Sequence, residues 1–327
     1  MRKKVIKVAC CITVALTIFT GCGQTNTENE IESTEKQMEG ITEEKVTEQI
    51  EEEKQLIAFT DKVIPEEANI EGPYFIRINR TANIVEIFSL NGEKELVKTM
   101  LCSVGLPGTG EFGNETPLGS YEIYERYRWR SLFGNVQGQY AIRFNGHILF
   151  HSVPYKSNDA STLKTDEYNK LGEPASLGCV RLSVADAKWI YDNCPNGTMV
   201  EVIEGNEAEP FRKPLGIKVA VDSEYAGWDP TDPDVRNPWI GKLPVINNVK
   251  DITIVKGSNK ELIFTVLNEV YGTDYDGTRL EVFIENIDSI NLNEYGTYEI
   301  IYGTTGVYGA TVYDDAMVNV VDEIKVE

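Results

Sequence analysis

The residues in this chain best suited to chemistry are one cysteine and one histidine. Cys179 stands in Ala175-Ser176-Leu177-Gly178-Cys179-Val180-Arg181-Leu182. The two histidines of the chain, His147 and His151, both lie in Gly146-His147-Ile148-Leu149-Phe150-His151-Ser152-Val153. A thiol of ordinary pKa, about 8.5, is mostly protonated at neutral pH and becomes a strong nucleophile once a nearby base takes its proton. His151 can be that base, Arg181 can hold a carboxylate, and successive backbone N–H groups around Gly178 can stabilise an oxyanion. The rival reading of the segment is a buried cysteine in a tight turn permitted by Gly178. The His-x-x-x-His spacing would suit zinc on a helix, where positions four apart lie close together. On a strand the same residues lie about 13 Å apart. With no further ligand cluster, no metal is expected, and His147 is read as a solvent-edge residue.

The elements that must position these groups are mostly strands. Short apolar runs broken by turns cover Tyr74–Ile78, Ile84–Ser89, Leu96–Val104, Gly119–Tyr124, Gln139–Phe144, His147–Val153 and Thr198–Ile203. Asn91-Gly92 and Asn145-Gly146 are hairpin signals between such runs. One helix is expected after Ser183, which can cap it with Asp186 three residues on, and Pro195 and Gly197 stop it. Arg126, Arg128 and Arg130 alternate with Tyr127 and Trp129, either lining a groove or forming a solvated face.

Composition limits the partners. The 327 residues carry 31 Lys plus Arg against 52 Asp plus Glu, a net charge of −21, which excludes a phosphate-tracking surface for nucleic acid. The acid excess sits in the flanks: residues 22–71 hold 15 acids and 4 bases and residues 206–327 hold 22 and 10, whereas residues 72–205 hold 15 and 13. At the start, Arg2, Lys3, Lys4 and Lys7 precede an apolar run from Val8 to Phe19, the order of a secretory signal and too short to span a bilayer. Residues 22–71 read as an acidic disordered tether. Residues 206–242 read as a Pro/Asp/Trp-rich strap fastened by Trp228 and Trp239, whose aspartates lack calcium-loop spacing. Residues 243–327 show short β runs at Ile252–Val255, Leu262–Val266, Leu280–Ile284, Tyr298–Tyr302 and Ala310–Tyr313, the rhythm of a small sandwich. Beyond the leader and Cys22 only Cys102, Cys179 and Cys194 remain, an odd number that leaves at least one free thiol.

Residues 72–205 resemble the catalytic domain of the L,D-transpeptidases, the YkuD-like family. His151-Ser152 and Ser176-Leu177-Gly178-Cys179-Val180-Arg181 match its catalytic motif, Thr116-Pro117-Leu118-Gly119-Ser120-Tyr121 an earlier strand, and Gly197-Thr198-Met199-Val200 its closing strand. Two departures are Leu177, where the family commonly has His, and a long spacer from Tyr155 to Pro174, read as a lid or a neutral surface loop. Phe19-Thr20-Gly21-Cys22 resembles the lipobox of bacterial lipoproteins, making 1–21 a cleaved signal and Cys22 a lipidated N-terminus. Gly296-Thr297-Tyr298-Glu299-Ile300 resembles bacterial immunoglobulin-like modules.

The resemblance implies a mainly β fold: a β-sandwich catalytic domain with one or two short helices, then a small all-β immunoglobulin-like sandwich. It implies a cysteine acyl-enzyme on peptidoglycan stem tetrapeptides, with D-alanine released and a 3→3 cross-link formed. An L,D-carboxypeptidase or an inactive wall-binding protein are the alternatives. Cys179 is then the nucleophile and His151 the base, with Ser152 orienting His151 through its carbonyl and Ser176 bracing the turn. Leu177, Gly178 and Cys179 supply oxyanion N–H groups, and Arg181 serves the substrate or pairs with a carboxylate such as Asp186. No cofactor is expected. The expected protein is a monomer outside the cytoplasm, held at the membrane only by its lipid and facing the wall. Cys102 and Cys194 are expected to be buried, with a disulfide between them open.

Overall fold

A computed structural model describes residues 56–61, 73–108, 114–205 and 213–324. The proposed signal, Cys22 and most of the tether lie outside the described residues. The tether reading is corrected at its end: Ile57–Asp61 forms a strand, β1, antiparallel to a strand of the C-terminal region. Its alternating sequence, Ile-Ala-Phe-Thr-Asp, has enough β-formers to fill an open sheet edge.

The next strands are β2 (Tyr74–Asn79), β3 (Ile84–Ser89), β4 (Glu95–Ser103), β5 (Gly119–Glu122), β6 (Glu125–Leu132), β7 (Val136–Asn145) and β8 (Ile148–Ser152). A short helix α1 (Thr165–Tyr168), strand β9 (Val180–Leu182), helix α2 (Val184–Asn193) and strand β10 (Met199–Ile203) complete this part. The strands form one nine-stranded mixed sheet in the order β5-β10-β2-β3-β4-β9-β8-β7-β6. Its two edges, β5 and β6, are joined by only Ile123 and Tyr124. Such a connection reaches only about 10 Å, so the sheet curls until its edges meet. Inside the curl lie Ile76, Ile78, Ile87, Cys102, Ile142, Phe150, Val180 and Leu182, all fully buried. Each such side chain stabilises the fold by about 1.5–3 kcal/mol. β6 and β9 are strands that the apolar pattern did not reveal, since half of β6 is charged and β9 is only three residues long.

Helix α2 forms as its sequence suggests. The Ser183 hydroxyl accepts from the Asp186 N–H at 3.2 Å, and Val184, Ala187 and Ile190 face the core. The strap adds two more caps, Asp229 Oδ2 accepting from Val184 N at 2.9 Å and Thr231 Oγ1 from Ala185 N at 3.1 Å. These satisfy N–H groups that a helix start leaves without partners. Trp239 is buried in the same core, and Trp228 packs at its margin. Cys102 and Cys194 are buried free thiols with no disulfide between them, both held well above the usual thiol range by burial, Cys194 at about 12.

In the C-terminal part follow β11 (Lys218–Val219), β12 (Val245–Asn247), β13 (Lys250–Val255), α3 (Glu261–Val266), β14 (Tyr271–Thr273), β15 (Arg279–Leu280), β16 (Phe283–Ile284), β17 (Gly296–Thr305) and β18 (Ala310–Val321). One sheet runs β1-β13-β18-β17-β16 with β11 beside β18, and β12-β14-β15 form another. The expected all-β sandwich is corrected at Leu262–Val266, which is helical. Leu262, Ile263 and Val266 are buried together, the i, i+1, i+4 spacing of a helix face. Leu280–Ile284 is split into two short strands instead of one. A separate apolar core of Ile252, Ile254, Ile263, Ile300, Tyr302 and Val318 sits beneath the larger sheet.

Candidate active site

The site is built where β8 and β9 run parallel, with Phe150 opposite Val180, His151 opposite Arg181 and Ser152 opposite Leu182. Side chains alternate along a strand, so His147, Leu149 and His151 share a face with Cys179 and Arg181. All five line one cavity of about 390 Å³. Cys179 is half-buried just ahead of β9, its Sγ 3.7 Å from the His147 carbonyl oxygen.

His151 is buried and its tautomer is fixed. Nδ1 lies 2.5 Å from the Ser152 carbonyl oxygen, which can only accept, so the proton is on Nδ1 and Nε2 is left as the basic nitrogen. The Ser152 hydroxyl accepts from Gln139 N at 2.9 Å and donates to the Val153 carbonyl at 3.0 Å, tying β8 to β7. Gly138 on β7 makes room for the imidazole, since a Cβ there would lie 3.1 Å from both Cβ and Nδ1 of His151.

The cysteine turn is held from two sides. Ser176 Oγ donates to the Cys179 carbonyl at 2.5 Å and accepts from Gly178 N at 3.1 Å. Thr116 Oγ1 donates to the Gly178 carbonyl at 2.9 Å and accepts from Gly105 N at 3.0 Å. Gly178 has φ +112°, and a Cβ there would meet Ile148 Cδ1 at 2.9 Å, so the turn requires glycine. The Gly178 N–H is therefore committed to Ser176. The N–H groups of Leu177 and Cys179 have no partner among the described residues. Leu177 itself is exposed at the mouth.

Arg181 also faces the cavity, but its guanidinium is paired with Glu167 of α1 at 2.5 Å, both side chains mostly buried. Asp186, the partner considered from sequence, instead bonds Ser183 Oγ at 2.9 Å and pairs with Lys98 at 3.6 Å. The lid reading of residues 155–174 is corrected as well. Tyr155, Leu163, Tyr168 and Leu171 are buried in the core, and no residue of the spacer lines the cavity. The spacer acts from behind, through Glu167 on Arg181. The outer wall comes from the β6–β7 hairpin, with Leu132, Phe133 and Val136 joined by Arg130 and Arg143. Of that wall, sequence reasoning named only Arg130, among the alternating arginines read as lining a groove or a solvated face; it missed Leu132, Phe133, Val136 and Arg143 and gave Thr116 no role. The turn signal was present in Gly134-Asn135, both at positive φ, behind an aromatic residue that is 86% exposed. His147, read as a solvent-edge residue, is exposed and also borders the cavity.

Burial sets the resting protonation. It pushes the Cys179 thiol up, against the Leu149 N–H and the more distant Arg181 and Arg143, which favour the thiolate. It also drives His151 down to about 4, the Ser152 hydrogen bond opposing and Arg181 assisting. At neutral pH the pair is therefore thiol and neutral imidazole. Burial pushes the Glu167 carboxyl up, but hydrogen bonds from Lys170 and Arg181 outweigh it and hold the group below the usual range. Among the described residues no group of His, Cys, Asp and Glu is arranged to hold a metal.

A cysteine just ahead of β9 and a tautomer-fixed histidine on β8 thus face one cavity, the two side-chain types that nucleophilic acyl transfer combines. Residues 73–202 match the YkuD family, the L,D-transpeptidase catalytic domain. A relative, "Putative L,D-transpeptidase YciB" of Bacillus subtilis (strain 168), is 40% identical over 110 residues, covering 32% of this chain and 55% of its own. The chain thus spans about half the length of that relative. Among solved structures, an L,D-transpeptidase from Mycobacterium smegmatis is similar at 20% identity, covering 40% of this chain and 58% of its own, TM-score 0.32. An L,D-transpeptidase (Yku) from Stackebrandtia nassauensis is similar at 18% identity over 45% of this chain and 62% of its own, TM-score 0.32.

Proposed function

We propose that residues 72–205 catalyse L,D-transpeptidation on peptidoglycan stem tetrapeptides through a Cys179 acyl-enzyme. The observation that carries this reading is that Cys179 and His151 line one cavity, with Nε2 of His151 left as its basic nitrogen. The relative's printed name and the family match point the same way. Cys179 loses its proton to His151 Nε2 as Sγ attacks the carbonyl of the third stem residue. The tetrahedral oxyanion is met by the N–H groups of Leu177 and Cys179, each donor worth about 2.7–4 kcal/mol by analogy with a protease. The C–N bond then breaks and His151 returns the proton to the departing D-alanine amine. A side-chain amine of a second stem attacks the thioester, losing a proton, to give a 3→3 cross-link and the free thiol. Because neither member is charged at rest, charge separation is confined to the occupied site.

The test is intact mass of the protein and its products after incubation with a disaccharide-tetrapeptide, wild type against Cys179→Ala. The expected result is loss of D-alanine with dimer formation, reduced at least about 10³-fold in the variant. Tripeptide without dimer would replace transpeptidation by carboxypeptidation, and no product from folded protein would overturn both. We further propose that residues 1–21 are a cleaved signal, that lipidated Cys22 tethers the protein outside the cytoplasm, and that residues 243–327 are an immunoglobulin-like spacer or adhesive module. Fatty-acid label that persists in Cys22→Ala protein would refute the anchor.

A further inference from the structure

We propose that Arg130 binds the free α-carboxylate of the residue that leaves, making the site selective for amides one residue from a carboxy terminus. This rests on the acyl-transfer reading above. The cavity is lined by Arg130, Arg143 and Arg181 and by no acidic residue, although the chain as a whole carries −21. An anionic ligand is what such a lining suits. Two of the three guanidiniums are already occupied. Arg181 is paired with Glu167, and Arg143 with Glu125 at 2.7 Å and with the Gly146 carbonyl at 2.5 Å. Arg130 makes no direct ion pair among the described residues, its charge reaching the Glu125 carboxylate only at longer range, and it rests over the Tyr127 ring, 4.6 Å from its centroid. Its neighbours on β6 are committed elsewhere: Arg126 donates to the carbonyls of Tyr191 and Cys194 at 2.5 and 2.6 Å, and Arg128 to Gln139 Oε1 at 2.7 Å. Of the alternating arginines, only Arg130 reaches the cavity.

Its place in the sheet fixes which substrate group it meets. The strand order β9-β8-β7-β6 puts Cys179 beside β9, His151 on β8 and Arg130 on β6. Arg130 pairs with Gly138, the residue whose missing side chain leaves room for His151. The acyl carbon must lie at Cys179 and the departing nitrogen at His151, which gives it a proton. In an amino acid the carboxylate carbon is only about 2.4 Å from that nitrogen, by standard N–Cα and Cα–C lengths. Continuing from Cys179 past His151 therefore carries the leaving carboxylate toward β6. Planar guanidinium donors match a carboxylate there, and Leu132 and Phe133 set an apolar edge beside it at the cavity mouth.

The experiment compares a tetrapeptide donor ending in a free carboxylate with the same donor ending in a carboxamide, for the wild type, Arg130→Gln and Arg130→Lys. Wild-type kcat/KM is expected to favour the acid by about ten- to a hundredfold, the range for a hydrogen bond to a charged group. Arg130→Gln should remove that preference by slowing the acid donor alone, and Arg130→Lys should restore part of it. Cys179 alkylation by iodoacetamide should be unchanged in both variants, which excludes a disturbed site. Turnover with no acid preference in the wild type, or equal loss on both donors in Arg130→Gln, would overturn the assignment. No turnover of either donor by the wild type would overturn the acyl-transfer reading itself, and the assignment with it.

Discussion

The curled catalytic sheet and the C-terminal sheet are both β-rich, and they use buried polar groups differently. The catalytic part buries His151, Ser152, Ser176 and Thr116, each tied by hydrogen bonds that fix a backbone turn or a ring. The C-terminal part buries fewer, Thr304 and Asp274, each hydrogen-bonded to backbone near its loops, and its apolar core is aliphatic but for Tyr302. Buried polar networks demand full satisfaction and specify geometry, whereas apolar packing tolerates adjustment. The contrast separates a region built for position from one built for bulk.

A glycine in each region offers the strongest test of that contrast. Gly178→Ala places a Cβ 2.9 Å from Ile148 at φ +112°, and should lower kcat about a hundredfold by shifting the cysteine turn. Gly303→Ala in β17 places a Cβ 2.3 Å from Phe283, whose side chain is 40% exposed and free to swing away, so kcat should be unchanged. Equal loss of turnover in both would erase the distinction. A smaller effect on activity is expected from Ile254→Ala in β13. Denaturant unfolding should show a loss of about 2–5 kcal/mol, while kcat/KM of the folded protein stays within twofold, on the order expected for distant, independent sites. An activity loss tracking the unfolding would show that the C-terminal core props the site.

The finest comparison is with pH, and it opposes a buried group of the curled sheet to a buried group of the strap that caps α2. His151 titrates at about 4 when folded against about 6.5 unfolded, so the unfolded chain binds more protons between these values. Its contribution is present above about 6.5 and is lost as pH falls through about 4. Asp229, pushed up to about 6 by burial despite its Thr231 and Val184 hydrogen bonds, acts in the opposite sense. Stability from that group is present below about 4 and is lost as pH rises through about 6. Melting temperature against pH between 4 and 7 should therefore be shallow in the wild type and steeper, falling toward acid, in Asp229→Asn. The acid limb of kcat/KM should lie near 4, and a limb near 6.5 would show His151 to be better solvated than its burial indicates.

Much of the catalytic sheet was legible because its strands are short apolar runs, buried on both faces at β3 and β8, and its hairpins carry Asn-Gly. The motif around Cys179 and His151 located the site's floor. The alternation of Arg126, Arg128 and Arg130 with Tyr127 and Trp129 is period two, but its charged half leaves a cavity wall and a solvated face with the same pattern, and the hairpin beyond it, Leu132 to Val136, has no alternation to read. Glu167 as the partner of Arg181 was illegible for a different reason: the two are brought together by long-range packing of the spacer, which local pattern does not encode. The helix at Leu262–Val266 was mistaken because a short apolar run fits both periods.

Strand β1 has a mechanical consequence. It precedes the catalytic sheet in the chain yet pairs with β13 of the C-terminal sheet through Ile57 to Asp61. A pull arriving from upstream is taken first by this five-residue edge strand. Peeling it away would pay out about 17 Å of chain at roughly 3.3–3.6 Å per residue. Such slack would take up the first part of a pull before the load reached β2 of the curled sheet, at whose far strands Cys179 and His151 sit.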